Sequence, residues 1–571
     1  MAGLSKNPGG SRQEAGGRQD PSSAACRLPP AASTFPAVRA HPAGVAVLLL
    51  CLGGVMLWQC GLVRTTTSAT WDEVIYARLA LAVFTHGTFA IFEQLGTAPL
   101  PVLLGYLPLA ASGVRLPVAP EAIPELVEAA RAAHALLIGV PLVWCVALWL
   151  VRRRGLAAGA VGGALAAFSP TLIAHTSLAT TDACLALFSL VALAAMVRHS
   201  RRPSRWTLLG VGLAMGLGFA SKHSAVFLVP VLLAELVLVE RRGRPIASAV
   251  AAAALQTAVA TLVAFAVSAA FHGFSLSAPI QGVLFQMEHG RHGHETYLMG
   301  RRAMHTWWYY FPLAFVFKST PVELILGGVA AAAGVAALRL RQPQADPAPR
   351  LWALAGLVYA ALTVLSPLGI GQRYLLVLYP LVILLAVDWG AALAGGSRGL
   401  RWATAGAALA VLIQAASAVA VSPQYLAYFS PLVGGPAEGH RYLVDSNLDW
   451  GQDLPALRAR LADLGGGCVA LAYFGTASPR AYGVEDVAWD EEPSAQGERC
   501  DWLAVSATFL QGLYLPGDPF ATLRALSPAA RAGYSIFLFS LKDPAVQNAL
   551  AEAQRTARSA QGTGVGGRRA P

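Results

Sequence analysis

The chain reads as a mostly α-helical, polytopic transmembrane bundle of about eleven spans, with a small extracytoplasmic α/β domain at its C-terminus. Three observations predict this. Of the 571 residues, 55% are hydrophobic and 13% charged, and the mean hydropathy is +0.53; a soluble chain of that length carries more charged surface. The apolar residues come in runs of about 15–25, the length that crosses ~30 Å of hydrocarbon. Residues 431–545 then change character, to short strand-like segments around one amphipathic helix.

The elements follow in order. Residues 1–40 are rich in Gly, Ser, Ala and Pro and carry Lys6, Arg12, Arg18, Arg27 and Arg39, which reads as a disordered basic cytoplasmic tail. No small-residue cleavage site follows the first apolar run, so that run reads as a retained helix. The spans fall at roughly 44–63, 132–151, 156–173, 183–197, 206–220, 225–239, 246–271, 321–338, 351–366, 374–390 and 402–421. Residues 41–421 thus form the transmembrane domain, 422–545 the outer domain and 546–571 a second disordered tail.

The arginines orient the bundle. Arg152 to Arg154, then Arg198, Arg201, Arg202 and Arg205, then Arg241, Arg242 and Arg244, then Arg339, Arg341 and Arg350, and finally Arg398 and Arg401 all fall between spans on the side of the N-terminal tail. The positive-inside rule makes that side cytoplasmic. An odd span count places residues 422–571 outside, in a multi-pass protein of the inner (plasma) membrane. The net charge of +11 is thereby explained by the membrane, and no nucleic-acid partner is expected.

Nearly all unusual residues fall in the outer segments. Trp71-Asp72-Glu73 follows span one, and adjacent carboxylates near a membrane surface repel each other. They are either a general base for an acceptor hydroxyl or the acidic first turn of a helix capped by Thr70. His175 to Asp182 is a polar connection in which Asp182 is either a second cavity acid or a helix cap. Ser221-Lys222-His223-Ser224 is a tight turn holding one of only four lysines; Lys222 either snorkels to headgroups or holds a phosphate. Gly369 to Tyr374 is another outer turn, where Arg373 either clamps a phosphate or anchors the interface.

The loop 272–320 holds Glu288, His289, His292, His294 and Glu295, then Trp307 to Pro312, then Lys318. Its histidine spacing fits no closed zinc pattern, so no cofactor is required, and a divalent metal is the alternative. The aromatic run reads as an interface belt or a platform for a sugar face. Gly210, Gly212 and Gly216 lie inside an apolar run with no preceding strand, which means helix packing and not nucleotide binding.

In the outer domain, 441–444, 469–473, 503–505 and 534–539 read as strands and 453–464 as a helix. Asp445 to Asp453 would then join a strand to that helix, as a ligand site at a strand end or as capping and turn chemistry. Cys51, Cys60, Cys145 and Cys184 lie in or beside apolar runs and read as packing residues. Cys468 and Cys500 directly precede two strands. If those strands are parallel neighbours, the cysteines share one sheet edge within bonding range; if not, they stay unpaired.

Taken together, these motifs resemble the GT-C membrane glycosyltransferases, specifically the protein O-mannosyltransferase and aminoarabinose-transferase superfamily (glycosyltransferase family 39), over roughly residues 44–541. Asp72-Glu73 is similar to that family's Asp-Glu signature. Ala98-Pro99-Leu100 is similar to its Pro-Pro-Leu segment, with the first proline replaced. Thr180-Thr181-Asp182 is similar to its second acidic site, and Lys222 stands where relatives place a phosphate-binding lysine. Tyr297-Leu298-Met299-Gly300, Tyr310-Phe311-Pro312 and Asn447 to Gln452 are similar to stretches of bacterial members. The resemblance implies transfer of a sugar, with inversion, from a polyprenyl-phosphate carrier to a glycan, lipid or protein hydroxyl. Asp72 would be the base, with Glu73 positioning it, and Lys222 and Arg373 would hold the donor phosphate. Asp182, His294 and Asp449 are candidate acceptor or cavity residues. A transporter or flippase of lipid-linked sugars is the rival reading, and a non-catalytic scaffold the third.

Overall fold

The computed structural model describes residues 40–241, 244–339, 346–394, 396–491 and 500–562. The N-terminal tail, with Arg242 and Arg341, lies outside them. The described chain is mostly helical. Among the described residues, eight helices are long and apolar enough to cross a membrane: Pro42–Thr66, Pro120–Arg154, Thr181–Arg201, His223–Glu240, Ile246–Phe271, Pro321–Arg339, Pro347–Val364 and Gly399–Val421.

All eleven expected spans fall on helix, but three are weaker than expected. Leu156–Ala167 and Pro170–Ser177 meet at 64° and make a ninth crossing only as a broken pair. Proline at the first position of the second piece starts it in a new direction. Leu378–Leu393 has 16 residues and Arg205–Ser221 has 17, short of the ~20 that span hydrocarbon untilted. Gly212 and Gly216 of the latter face Ile246–Phe271 closely, since an added Cβ would lie 2.7 Å from Val263 and 2.5 Å from Val267. The glycines are therefore helix-packing residues.

Helix direction gives the bundle two distinct poles. Arg153 and Arg154 at the end of one helix pair with Asp388 near the end of another, at 2.9 and 2.7 Å. Asp346, just before Pro347–Val364, takes Arg153 and Arg201, and Arg350 binds Glu235 at 2.6 Å. Thr181–Arg201 and Leu378–Leu393 both run into this arginine pole. Asp182 and Arg373 sit at their opposite ends.

Beyond Val421 the chain builds a five-stranded sheet, after a short hairpin, β1 (Thr296–Leu298) with β2 (Arg301–Ala303), earlier in the chain. Its strands are β3 (Val469–Ala472), β4 (Asp486–Ala488), β5 (Trp502–Ser506), β6 (Ala530–Ala532) and β7 (Ile536–Ser540), in the order β4-β3-β5-β7-β6. β3 and β5 are parallel neighbours, with Val469 opposite Trp502. Cys468 and Cys500 precede them and form a disulfide across a Cα separation of 5.0 Å.

Three expectations change. Residues 441–444 are not a strand: Tyr442 and Leu443 N–H both return to Gly439 O, which curls the chain. Buried Leu443 and Val444 supplied the apolar pattern without a partner strand. The aromatic run is not a uniform belt, because Trp308 is exposed while Tyr310 and Phe311 are buried. Of the tail expected over 546–571, residues 546–562 instead belong to a helix, Pro544–Gly562, and 563–571 lie outside the described residues. Val546, Ala549 and Ala553 are buried at helical spacing; their small side chains gave little apolar signal.

Candidate active site

Asp72 and Glu73 stand side by side in sequence and do different work. They open the helix Trp71–His86 at its second and third positions. Glu73 turns inward and is fully buried. Its Oε2 accepts from Thr70 N–H and Oγ1 at 2.9 and 2.8 Å, and its Oε1 accepts from Ala179 N–H at 2.9 Å. Arg131 donates to both oxygens, at 2.8 and 2.6 Å, and also to Thr67 O and Ser68 O. Burial alone would raise the Glu73 carboxyl; Arg131 and these hydrogen bonds overcome it and hold the group below the usual range. Glu73 is thus a fixed anion that locks the start of the helix.

Asp72, one residue earlier, points the other way. Its Oδ2 accepts from Arg373 Nη1 at 2.7 Å. The same Nη1 lies 3.9 Å from Asp182 Oδ2, and Lys222 Nζ donates to Asp182 Oδ1 at 2.5 Å. Four of the sequence-predicted residues therefore form one alternating cluster, Asp72–Arg373–Asp182–Lys222, at the pole opposite the arginines. Aromatic rings back the cations: Arg373 lies 4.5 Å over Trp450, and Lys222 lies 4.4 Å over Tyr374. Arg373 Nε and Asp182 Oδ2 are buried without a hydrogen-bond partner. Such groups call for a ligand or a solvent molecule.

The two other candidates make no hydrogen bond or ion pair with these four residues, although Asp449 directly precedes Trp450, which lies under Arg373. Asp449 is fully buried, with Oδ2 accepting from Thr508 N–H at 2.8 Å, and burial pushes its carboxyl up to about 8. That bond ties it to the segment that follows β5. His294 Nδ1 pairs with Tyr514 Oη at 3.2 Å, and Tyr514 in turn donates to Asp445. Tyr514 stacks on Phe474, and Phe474 on Trp71, with centroids 5.4 and 4.9 Å apart. His294 is thus linked to the residue before Asp72 through an aromatic row. Among the described residues, no group of three His, Cys, Asp or Glu is arranged to hold a metal ion.

Sequence reasoning missed Arg131 and Tyr514, and it named Asp445 and Trp450 only as members of the segment Asp445 to Asp453. Arg131 did carry a signal, since it abuts an apolar run at the end opposite the arginine clusters. The aromatic row carried none, because Trp71, Phe474 and Tyr514 are brought together only by the fold. Beside Lys222, His223 borders an apolar cavity of about 240 Å³ lined by Phe219, Val226, Phe265, Ile280 and Leu284.

Residues 127–270 match the family model of dolichyl-phosphate-mannose-protein mannosyltransferases, in keeping with the resemblance drawn from the motifs. The matched stretch contains Asp182 and Lys222; Asp72 and Arg373 lie outside it. No curated protein sequence matches the chain. Among solved structures, ArnT of Cupriavidus metallidurans in the apo state is similar at 15% identity over 87% of this chain and 98% of that one, with a TM-score of 0.46. The same protein bound to undecaprenyl phosphate gives 15% over 88% and 98%, TM-score 0.44. An oligosaccharyltransferase of Archaeoglobus fulgidus gives 13% over 81% and 68%, TM-score 0.40.

Proposed function

We propose that this chain is a membrane glycosyltransferase that moves a sugar from a polyprenyl-phosphate carrier to an acceptor hydroxyl, with inversion, at the outer face of the membrane. The observation that carries the reading is the alternating cluster of Asp72, Arg373, Asp182 and Lys222 at the end of the bundle remote from the arginines. The match to the mannosyltransferase model supports the lipid-linked donor. The positive-inside rule supports an outer location, because it sends the arginine pole to the cytoplasm.

The chemistry follows from the charges. The acceptor oxygen attacks the anomeric carbon from the face opposite the phosphate, and Asp72 takes its proton. The bond from that carbon to the phosphate oxygen breaks, and its electron pair leaves on the phosphate. Lys222 and Arg373 meet that growing charge. Arg373 is held by Asp72. An arriving phosphate competes for the guanidinium and frees the carboxylate to act as base. The cavity next to Lys222 offers the lipid chain an apolar wall. Asp182 keeps both cations in place, and Glu73 keeps the Asp72 helix start in register.

The test is to give the purified protein a panel of undecaprenyl-phosphate sugars with candidate acceptors. The reading expects one donor to be consumed, with undecaprenyl phosphate released and a product of inverted anomeric configuration by NMR. A folded protein that consumes no donor in the panel would overturn it, and a retained configuration would overturn inversion.

A further inference from the structure

The segment 445–452 touches both halves of the charge cluster. On one side it holds the turn that carries Arg373. Ser446 Oγ donates to Ile370 O at 2.9 Å, and Asn447 Oδ1 accepts from Gln372 N–H at 2.8 Å. The Trp450 ring lies beneath the Arg373 guanidinium. The approach is close enough that a Cβ on Gly371 would sit 2.2 Å from Ser446 Oγ. On the other side the segment holds the approach to Asp72. Trp71 N–H donates to Trp450 O and Ser68 N–H to Gln452 O, both at 2.9 Å, and Ser68 Oγ donates to Gly451 O at 2.7 Å.

The segment is itself fixed. Asn447 is buried, and its Nδ2 donates to Val444 O at 2.9 Å and Tyr310 Oη at 3.2 Å. The buried Lys318 Nζ donates to Asn447 O and Leu426 O. Gly451 adopts φ +90°, and a Cβ there would meet Tyr473 Oη at 2.7 Å. One rigid stretch of the outer region thus spans from the base to the cation, the kind of support that fixes catalytic distances.

We infer that Asn447 is a positioning residue for Arg373, acting through the Gln372 N–H, and that the outer region completes the donor-phosphate site by this loop. The inference rests on the reading of Arg373 as a phosphate-binding group. A merely structural amide would lower stability without coupling to Arg373. A positioning amide couples, because its effect on binding passes through the guanidinium.

The experiment measures binding of undecaprenyl phosphate to full-length protein purified in detergent, with thermal melting of each variant as the folding control. Asn447→Ala should weaken binding about tenfold. The double variant Asn447→Ala with Arg373→Ala should bind no worse than Arg373→Ala alone, since the two act as one unit. If Asn447→Ala does not fold, Gly371→Ala decides, because its Cβ pushes the turn off Ser446; it should show the same loss and the same coupling. Normal binding by folded Asn447→Ala or folded Gly371→Ala, or losses that multiply in the double variant, overturns the inference while leaving the Arg373 reading intact. Normal binding by Arg373→Ala overturns that reading, and the inference falls with it.

Discussion

Asp72 and Arg373 lie 301 residues apart in the chain and share an ion pair of 2.7 Å. Their side chains are 19% and 12% exposed. The pair joins the segment after the first span to the turn before Leu378–Leu393. Around it, Lys222 shares Asp182 with Arg373, while Glu73 has its own partner in Arg131.

Lys222→Ala removes the cation nearest Asp182 and should weaken binding of undecaprenyl phosphate by about 1.5–3 kcal/mol. Lys222→Arg should restore part of that, because a planar guanidinium cannot occupy the place of a compact ammonium over the Tyr374 ring. Titration of the purified variants with the lipid reads both effects.

Glu73 and Arg131 behave as structural partners. Removing either leaves a buried, unpaired charge, so Glu73→Ala or Arg131→Ala should cost about 3–5 kcal/mol of stability. Thermal melting in detergent checks this. The depressed Glu73 carboxyl also fixes a pH window. Its contribution is present above the usual glutamate range and is lost as pH falls through its lower folded value.

Asp449 shifts in the opposite direction. Its carboxyl is pushed up to about 8 by burial, so the folded chain keeps a proton that the unfolded chain releases above pH ~4. Folding therefore loses this contribution as pH rises from ~4 to ~8. Asp449→Asn should melt like the wild type near pH 4 and at least about 3 °C higher at pH 8.5.

The orientation is testable with reporter fusions. A phosphatase fused after residue 430 should be active, because the sheet is assigned to the oxidising side, where the Cys468–Cys500 disulfide is at home. An inactive phosphatase there, together with an active cytoplasmic reporter, would reverse the assignment.

Much of this was legible in the sequence, for local reasons. Apolar runs mark helices by length, and each expected span falls on one. Cys468 and Cys500 stood in register because each precedes a strand directly. Asp72, Asp182, Lys222 and Arg373 stood out as charges at the ends of apolar runs. What was hidden depends on distant partners. The division of labour between Asp72 and Glu73 is set by Arg131, 58 residues from Glu73. Residues 441–444 have strand-like composition, and only the return bonds to Gly439 make them a turn. β4 and β6 have three residues each, too few for an alternating pattern to register. Arg205–Ser221 and Leu378–Leu393 were counted as spans on apolar content, and their shortness already showed in the sequence ranges 206–220 and 374–390.

In the proposed reaction Asp72 takes a proton while a sugar leaves a lipid phosphate. The direct measurement is release of radiolabelled sugar from a polyprenyl-phosphate donor, comparing purified wild type with Asp72→Asn. The substitution keeps the shape and removes the proton acceptor, so turnover should fall about 100-fold or more while undecaprenyl phosphate still binds. Turnover by Asp72→Asn near the wild-type rate would contradict the account.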